Sequence, residues 1–205
     1  EYIALATELN KKRAKAAPIV SKQLIKQLQP LVLPNARCEF VFTKKTDVSQ
    51  YNGQGCYDID LLFSANVGMP MQPLHKIASG GELSRMALVM QVLQATNADN
   101  NAAKPMLVFD EVDVGISGGT AQVVGELLRA LGQTQQLLAI THQAQVAAQA
   151  HQHILVQKHH DEQTESELLF LTDSAQVDEL ARMSGGVTIT DVTRDHARSL
   201  LSDVK

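Results

Sequence analysis

The chain has no tryptophan, and aromatic residues make up only 4% of its 205 positions. Its core must therefore be mainly aliphatic. Hydrophobic residues still reach 44%, close to the soluble globular average, which excludes disorder as the main state. The length fits one domain or one large lobe, at roughly 100–200 residues per domain. The only cysteines, Cys38 and Cys56, make neither a disulfide framework nor a CxxC zinc clip. Free thiols in a cytoplasmic protein are the simplest expectation. Positive charge is not in excess: Lys and Arg total 18 against 22 Asp and Glu, a net charge of −4. This chain alone is not a basic nucleic-acid clamp. No apolar run approaches the ~20 residues of a membrane span. Glu1–Ala17 has no sustained apolar stretch after a basic start, so it does not read as a signal peptide. The opening residue is Glu1, inside a polar, helix-prone stretch, and the expectation is a piece of a longer protein.

Residues 1–29 carry Leu5, Leu9, Val20, Leu24 and Leu28 at near-helical spacing, with Pro18 expected to break or restart the helix. The pattern fits the end of a coiled coil and equally an ordinary surface helix. Pro30 and Pro34 end it. Cys38–Thr43 and Tyr57–Ser64 alternate as strands do, around a polar loop with an Asn52-Gly53 turn. Ser79-Gly80-Gly81 then opens a helix expected to bury Leu83, Met86, Ala87, Met90 and Leu93 on one face. Pro105–Phe109 is a short continuous apolar run, the mark of a buried parallel strand. A helix at about Gly119–Leu131 follows, then a strand at Gln136–Thr141 and a short helix from Gln143. Ile154–Lys158 and Glu167–Thr172 read as strands, and the end as two helices around Ser184-Gly185-Gly186. Strands alternate with helices through the middle, which predicts an α/β class with a mainly parallel sheet flanked by helices.

Four stretches carry chemistry. The apolar strand that ends in Asp110-Glu111 puts carboxylates at the carboxyl edge of a sheet, where such folds bind ligands. Asp110 is placed to hold Mg²⁺, directly or through water, and Glu111 to act as a general base or water-orienting group. A helix cap or plain surface acids are the ordinary alternative. Ser79 with Glu82 three residues on makes a capping box. Gly80 and Gly81 are poor helix formers in that first turn. They suit a helix N-terminus that a phosphate approaches closely. Thr141-His142 follows the apolar strand Leu137–Ile140, where a histidine can reach a phosphate. The Gly-rich loop Asp113–Gly119 is either a plain left-handed turn or a device that places Asp113 against another subunit.

These blocks stand in order, with 31 positions from Ser79 to Asp110 and 32 from Asp110 to His142. The stretch Lys76–Arg85 resembles the signature motif of ABC-type ATPases. Residues 106–111 resemble the Walker B strand with its catalytic Glu, Asp113 the D-loop and His142 the switch histidine. Within that superfamily, Phe109–Gly118, Thr141–Ala147 and Asn66–Arg85 resemble the SMC-like bacterial DNA repair ATPases, over essentially the whole chain but matching only their C-terminal part. The resemblance implies ATP and Mg²⁺ sandwiched between two heads in double-strand break repair and recombination. Glu111 and His142 would be catalytic and Asp110 would hold the metal. Ser79, Gly80, Gly81 and Glu82 would meet the nucleotide of the opposite head, and Asp113 would cross the interface. No G-x-x-x-x-G-K-[ST] occurs in this sequence. In the family that loop lies in an N-terminal lobe, across a long coiled coil. Residues 1–29 would then be the end of the coiled-coil arm and residues 30–205 the C-terminal lobe of the head. The implied partners are the P-loop lobe, a second head and DNA, with no membrane; the implied location is the cytoplasm, on the nucleoid. The chain alone is expected to be inactive.

Two rival readings keep the fold: a transporter nucleotide-binding lobe, and a non-hydrolysing, nucleotide-gated interaction module. Only 78 residues precede Ser79 and no permease-contacting Q-loop is evident, which weighs against the first. The intact Asp110-Glu111 pair weighs against the second. His151, His153, His159 and His160 have no Cys or carboxylate partner at standard metal spacing, so a polar strand end and loop is expected there. Lys11-Lys12-Arg13 with Lys15 reads as a solvated helix face ahead of a contact to DNA phosphates, and Cys38 and Cys56 as buried or idle thiols.

Overall fold

A computed structural model gives the fold and describes residues 1–31, 33–76, 80–97, 104–110, 112–160, 164–185 and 188–204. The chain divides into two compact units, Glu1–Asn97 and Ala98–Lys205.

The first unit opens with one long helix, α1 (Tyr2–Leu28), followed by β1 (Arg37–Lys44), β2 (Tyr57–Ser64), the two-residue β3 (Gln72–Pro73) and α2 (Gly80–Asn97). The break expected at Pro18 does not occur. A proline in a helix removes the bond to the carbonyl four residues earlier. Here that is Ala14, and both residues lie on the exposed side, where water can serve the orphaned carbonyl. The inward face runs Ala6, Asn10, Arg13, Ala17, Ser21, Leu24, Leu28, an average step near the helical repeat. Of the apolar residues expected to make that face, only Leu24 and Leu28 are buried; Leu5, Leu9 and Val20 are exposed. Strands β1 and β2 pair antiparallel from Arg37↔Ser64 to Lys44↔Tyr57. The polar loop between them folds back on α1: Tyr2 stacks on Tyr51 and donates to the Asn52 carbonyl at 2.9 Å, and Arg13 donates to the Gln54 carbonyl at 2.6 Å. Its left-handed residue is Gly55 (φ 99°), and a Cβ there would touch Arg13, Ala6 and Leu9.

Helix α2 buries Met86, Leu88, Val89 and Val92. The expected face is corrected: Leu83, Ala87 and Met90 are exposed. Apolar residues occur on both sides of this helix, so spacing alone allows two stripes, and packing against α1 selects one.

The second unit runs β4 (Leu107–Asp110), α3 (Gly119–Gly132), β5 (Leu137–Ile140), α4 (Ala144–Ala148), β6 (Ile154–His160), β7 (Thr164–Phe170), α5 (Asp173–Gly185) and α6 (Asp191–Ser202). The mixed α/β class is as expected, but among the described residues parallel pairing is confined to β4–β5. Only there does a crossover helix return the chain in the same direction. β1–β2 and β6–β7 are joined without one and pair antiparallel. Helix α3 buries Ala121, Val124, Leu128 and Leu131. Gly125 on that face lets α4 approach closely: a Cβ there would lie 2.8 Å from Gln149 Cγ and 3.1 Å from the Gln145 carbonyl oxygen. Ala144 and Ala148 of α4 form a small core with Leu180, Ala181 and Ala197. Thr190 and Thr193 make a reciprocal capping box at the start of α6.

Candidate active site

The site is built at the carboxyl ends of β4 and β5. Alternation along β4 buries Phe109 and exposes Asp110, its last residue. Asp110 is in register with Ile140, the last residue of β5, and Thr141-His142 follows directly. The parallel pairing thus brings Asp110 and His142, 32 positions apart, to one sheet edge. Glu111 and Ser79 lie outside the described residues. Among the described residues no group of three or more His, Cys, Asp or Glu side chains can hold a metal. One exposed carboxylate suits a hard cation that keeps its waters and takes further ligands from phosphates, as Mg²⁺ does. It does not suit a cation held by protein alone.

Beyond β4 the chain turns back, with Gly115 (φ 74°) and Gly118 (φ 56°) in the left-handed region, before α3 begins. Asp113 is fully buried inside that turn. Its carboxylate faces inward, where Oδ2 accepts a short hydrogen bond from the Thr141 hydroxyl. Oδ1 lies 3.8 Å from His142 Nδ1. The Thr141 oxygen also accepts the Gln143 backbone N–H at 3.0 Å, which shapes the turn into α4. The His142 ring itself is 61% exposed. The loop after β4 and the turn after β5 are therefore one hydrogen-bonded body. In the sequence Asp113 and His142 stand apart, and nothing in their spacing singles out Gln143. A hydroxyl three residues ahead of a helix start is the available signal.

In the other unit, Gly80 and Gly81 lie in the first turn of α2, as expected. Among the described residues nothing lies within 4 Å of a Cβ placed on Gly80. Glu82 lies in the same turn, with its side chain outside the described residues. Of the histidines, His151 and His153 precede β6 rather than lying on a strand face. His153 is almost fully buried, and that desolvation pushes its pKa below the ordinary value, against a hydrogen bond to the Ala147 backbone. Burial raises the Cys38 thiol, which donates weakly to the Ser21 carbonyl.

One face of the β4–β5 pair is open, and it is apolar up to Asp110 at its carboxyl end. Val108 and Leu138 are paired neighbours, and Val108 is 59% and Ile140 50% exposed.

No protein-family model matches the chain. It is 41% identical over 201 residues to the DNA repair protein RecN of Vibrio cholerae, covering 98% of this chain and 35% of that protein. It is 40% identical to RecN of Haemophilus influenzae over 97% of this chain and 35% of the relative. The RecN of Deinococcus radiodurans is 37% identical, with 98% and 34% covered. The chain thus spans about a third of the length of these relatives. Among solved structures, the Smc head domain with coiled coil and joint from Pyrococcus yayanosii aligns with TM-score 0.57 at 17% identity, over 80% of this chain and 29% of that one. The Pyrococcus furiosus Smc head bound to the C-terminal domain of ScpA aligns with TM-score 0.52 at 18% identity, covering 80% and 37%. The shared fold is that of an SMC head.

Proposed function

The chain is RecN-like in sequence and SMC-head-like in fold, and from that premise we propose that it is the C-terminal lobe of an ATP-hydrolysing head in DNA double-strand break repair. The observation that carries the reading is the meeting of Asp110 and the Thr141-His142 turn at one parallel sheet edge. Residues 1–29 are the end of a coiled-coil arm and residues 30–205 the lobe itself. The other partners are a P-loop lobe, a second head and DNA, in the cytoplasm. No described helix is long and apolar enough to cross a membrane.

Asp110 would hold Mg²⁺. The cation supplies charge neutralisation on the nucleotide phosphates. Glu111 takes the proton of the attacking water as its oxygen bonds to the γ-phosphorus and the bond to the β–γ bridging oxygen breaks. His142 meets the γ-phosphate on its own head. Ser79, Gly80, Gly81 and Glu82 meet the γ-phosphate of the opposite head through the start of a helix, where backbone N–H groups point outward. Asp113, expected to cross the interface, instead turns inward onto the Thr141 hydroxyl, and its part is to fix the shape of the loop after β4. Nucleotide between two heads favours the closed state, and hydrolysis removes that bias.

The test is ATP hydrolysis by this chain alone and mixed with a matching P-loop lobe, with and without DNA. Activity only in the mixture is expected. Glu111→Gln should lower it by roughly 10²-fold or more while nucleotide-driven head closure survives. A mixture that assembles and binds ATP without hydrolysing it would replace this reading with a nucleotide-gated interaction module.

A further inference from the structure

Gln143 fixes which nitrogen of the neighbouring ring carries the proton. Its side-chain nitrogen lies 3.2 Å from the Ile116 carbonyl oxygen. A carbonyl oxygen only accepts, so the group facing it is the amide NH₂. The same nitrogen lies 3.1 Å from His142 Nε2. An amide nitrogen only donates, so Nε2 must present its lone pair, and the proton of the neutral ring sits on Nδ1. Nδ1 in turn faces Asp113 Oδ1 at 3.8 Å. That exceeds hydrogen-bond distance, yet a buried carboxylate oxygen at this range attracts an N–H and repels a lone pair. Oδ1 has no hydrogen-bond partner among the described residues, while Oδ2 is held by Thr141. Both sides of the ring therefore select the same tautomer, although a histidine free in water favours the proton on Nε2.

We infer that Gln143 is a positioning residue for His142. It covers Nε2 with a donor and holds the ring in the Nδ1–H tautomer, with the buried Asp113 carboxylate behind it. A phosphate oxygen only accepts, so it cannot take the place of Gln143 at a bare Nε2. Contact with phosphate requires the amide to move away and the ring to leave this tautomer. The tautomer follows from the geometry alone; its role as a latch against an incoming phosphate rests on the proposed function.

The test is the ¹⁵N spectrum of histidine-labelled full-length protein, with His142 identified by its loss in His142→Gln. It is recorded without nucleotide at alkaline pH, where imidazoles are neutral. A protonated, pyrrole-type Nδ1 and a bare, pyridine-type Nε2 are expected. A dominant Nε2–H form overturns the inference, and this wild-type result decides even if a variant fails to fold. Gln143→Glu is nearly isosteric but puts an acceptor against Nε2, and should turn the ring to Nε2–H. An unchanged tautomer in that variant overturns the positioning role. Gln143→Leu should lower the ratio of Nδ1–H to Nε2–H about fivefold, the effect of one ordinary hydrogen bond. A non-hydrolysable ATP analogue separates the two claims. The expected tautomer with no response to the analogue leaves the Gln143 assignment standing and counts against the nucleotide reading. The wrong tautomer with a clear response does the reverse.

Discussion

The Thr141 hydroxyl donates to the fully buried carboxylate of Asp113, tying the end of β5 to the loop that leaves β4. A carboxylate out of water is expensive to keep ionised unless donors replace its lost hydration. The consequence is mechanical. Asp110, on one side of this tie, and His142, on the other, cannot shift independently while it holds.

Removing the donor should therefore cost more than one exposed hydrogen bond. Thr141→Val keeps the shape of the side chain and leaves Oδ2 without that partner, a loss of about 2–3 kcal/mol. Thr141→Ser should restore most of it. Denaturant midpoints of the three proteins check this. A valine variant as stable as the parent would show that the Asp113 carboxyl finds another donor.

Gly125→Ala should destabilise, against the usual sign. In a helix interior the exchange normally gains about 0.5–1 kcal/mol. Here the new methyl would sit 2.8 Å from Gln149 Cγ and 3.1 Å from both the Gln145 carbonyl oxygen and Val146 Cα. The side chain can swing away, but the α4 backbone cannot. The net change should be a loss of about 1–3 kcal/mol, the range for overpacking a tight contact. Thermal unfolding of the variant decides the sign.

His153 should make the fold acid-sensitive. Burial lowers its folded pKa from the ordinary value of 6.5. Above that value both folded and unfolded states are neutral at this position, and stability is at its full level. As the pH falls below about 6.5 the unfolded chain takes up the proton while the folded one resists, so stability drops until the lower folded value is reached. Unfolding free energies between pH 7.5 and 5 should slope downward, and His153→Leu should flatten that part of the curve. An equal slope in both would assign the acid sensitivity to other groups.

Short, strongly patterned segments were legible from sequence. Leu107–Phe109 and Leu137–Ile140 are continuous apolar runs, and the pairing of their strands follows from the α3 crossover between them. The two acids, the glycine-rich loop and Thr141-His142 were legible because each interrupts an apolar pattern. Partner choice was not legible. Leu83, Ala87 and Met90 fit a helical stripe as well as Met86, Val89 and Val92 do, and only α1 selects between them. Pro18 breaks helices in general, but not where the freed carbonyl faces water. The inward turn of Asp113 depends on the Thr141 hydroxyl 28 residues later, a pairing that periodicity does not encode.

The open face of β4–β5 should separate folding from assembly. Met106, Val108, Leu138 and Ile140 together expose an aliphatic strip that a self-sufficient domain would cover. If the proposed P-loop lobe supplies the covering strands, Val108→Lys should leave this chain's own stability within about 0.5 kcal/mol, as surface exchanges usually do. The same change should abolish association with that lobe, because a lysine on a closed sheet face buries an unpaired charge. Sedimentation of the mixture and its ATP hydrolysis both report this. Loss of both with an unperturbed melting curve for the chain places the lobe contact on this strip. Full association and hydrolysis in the variant would place it elsewhere, and the strip would then belong to a different partner.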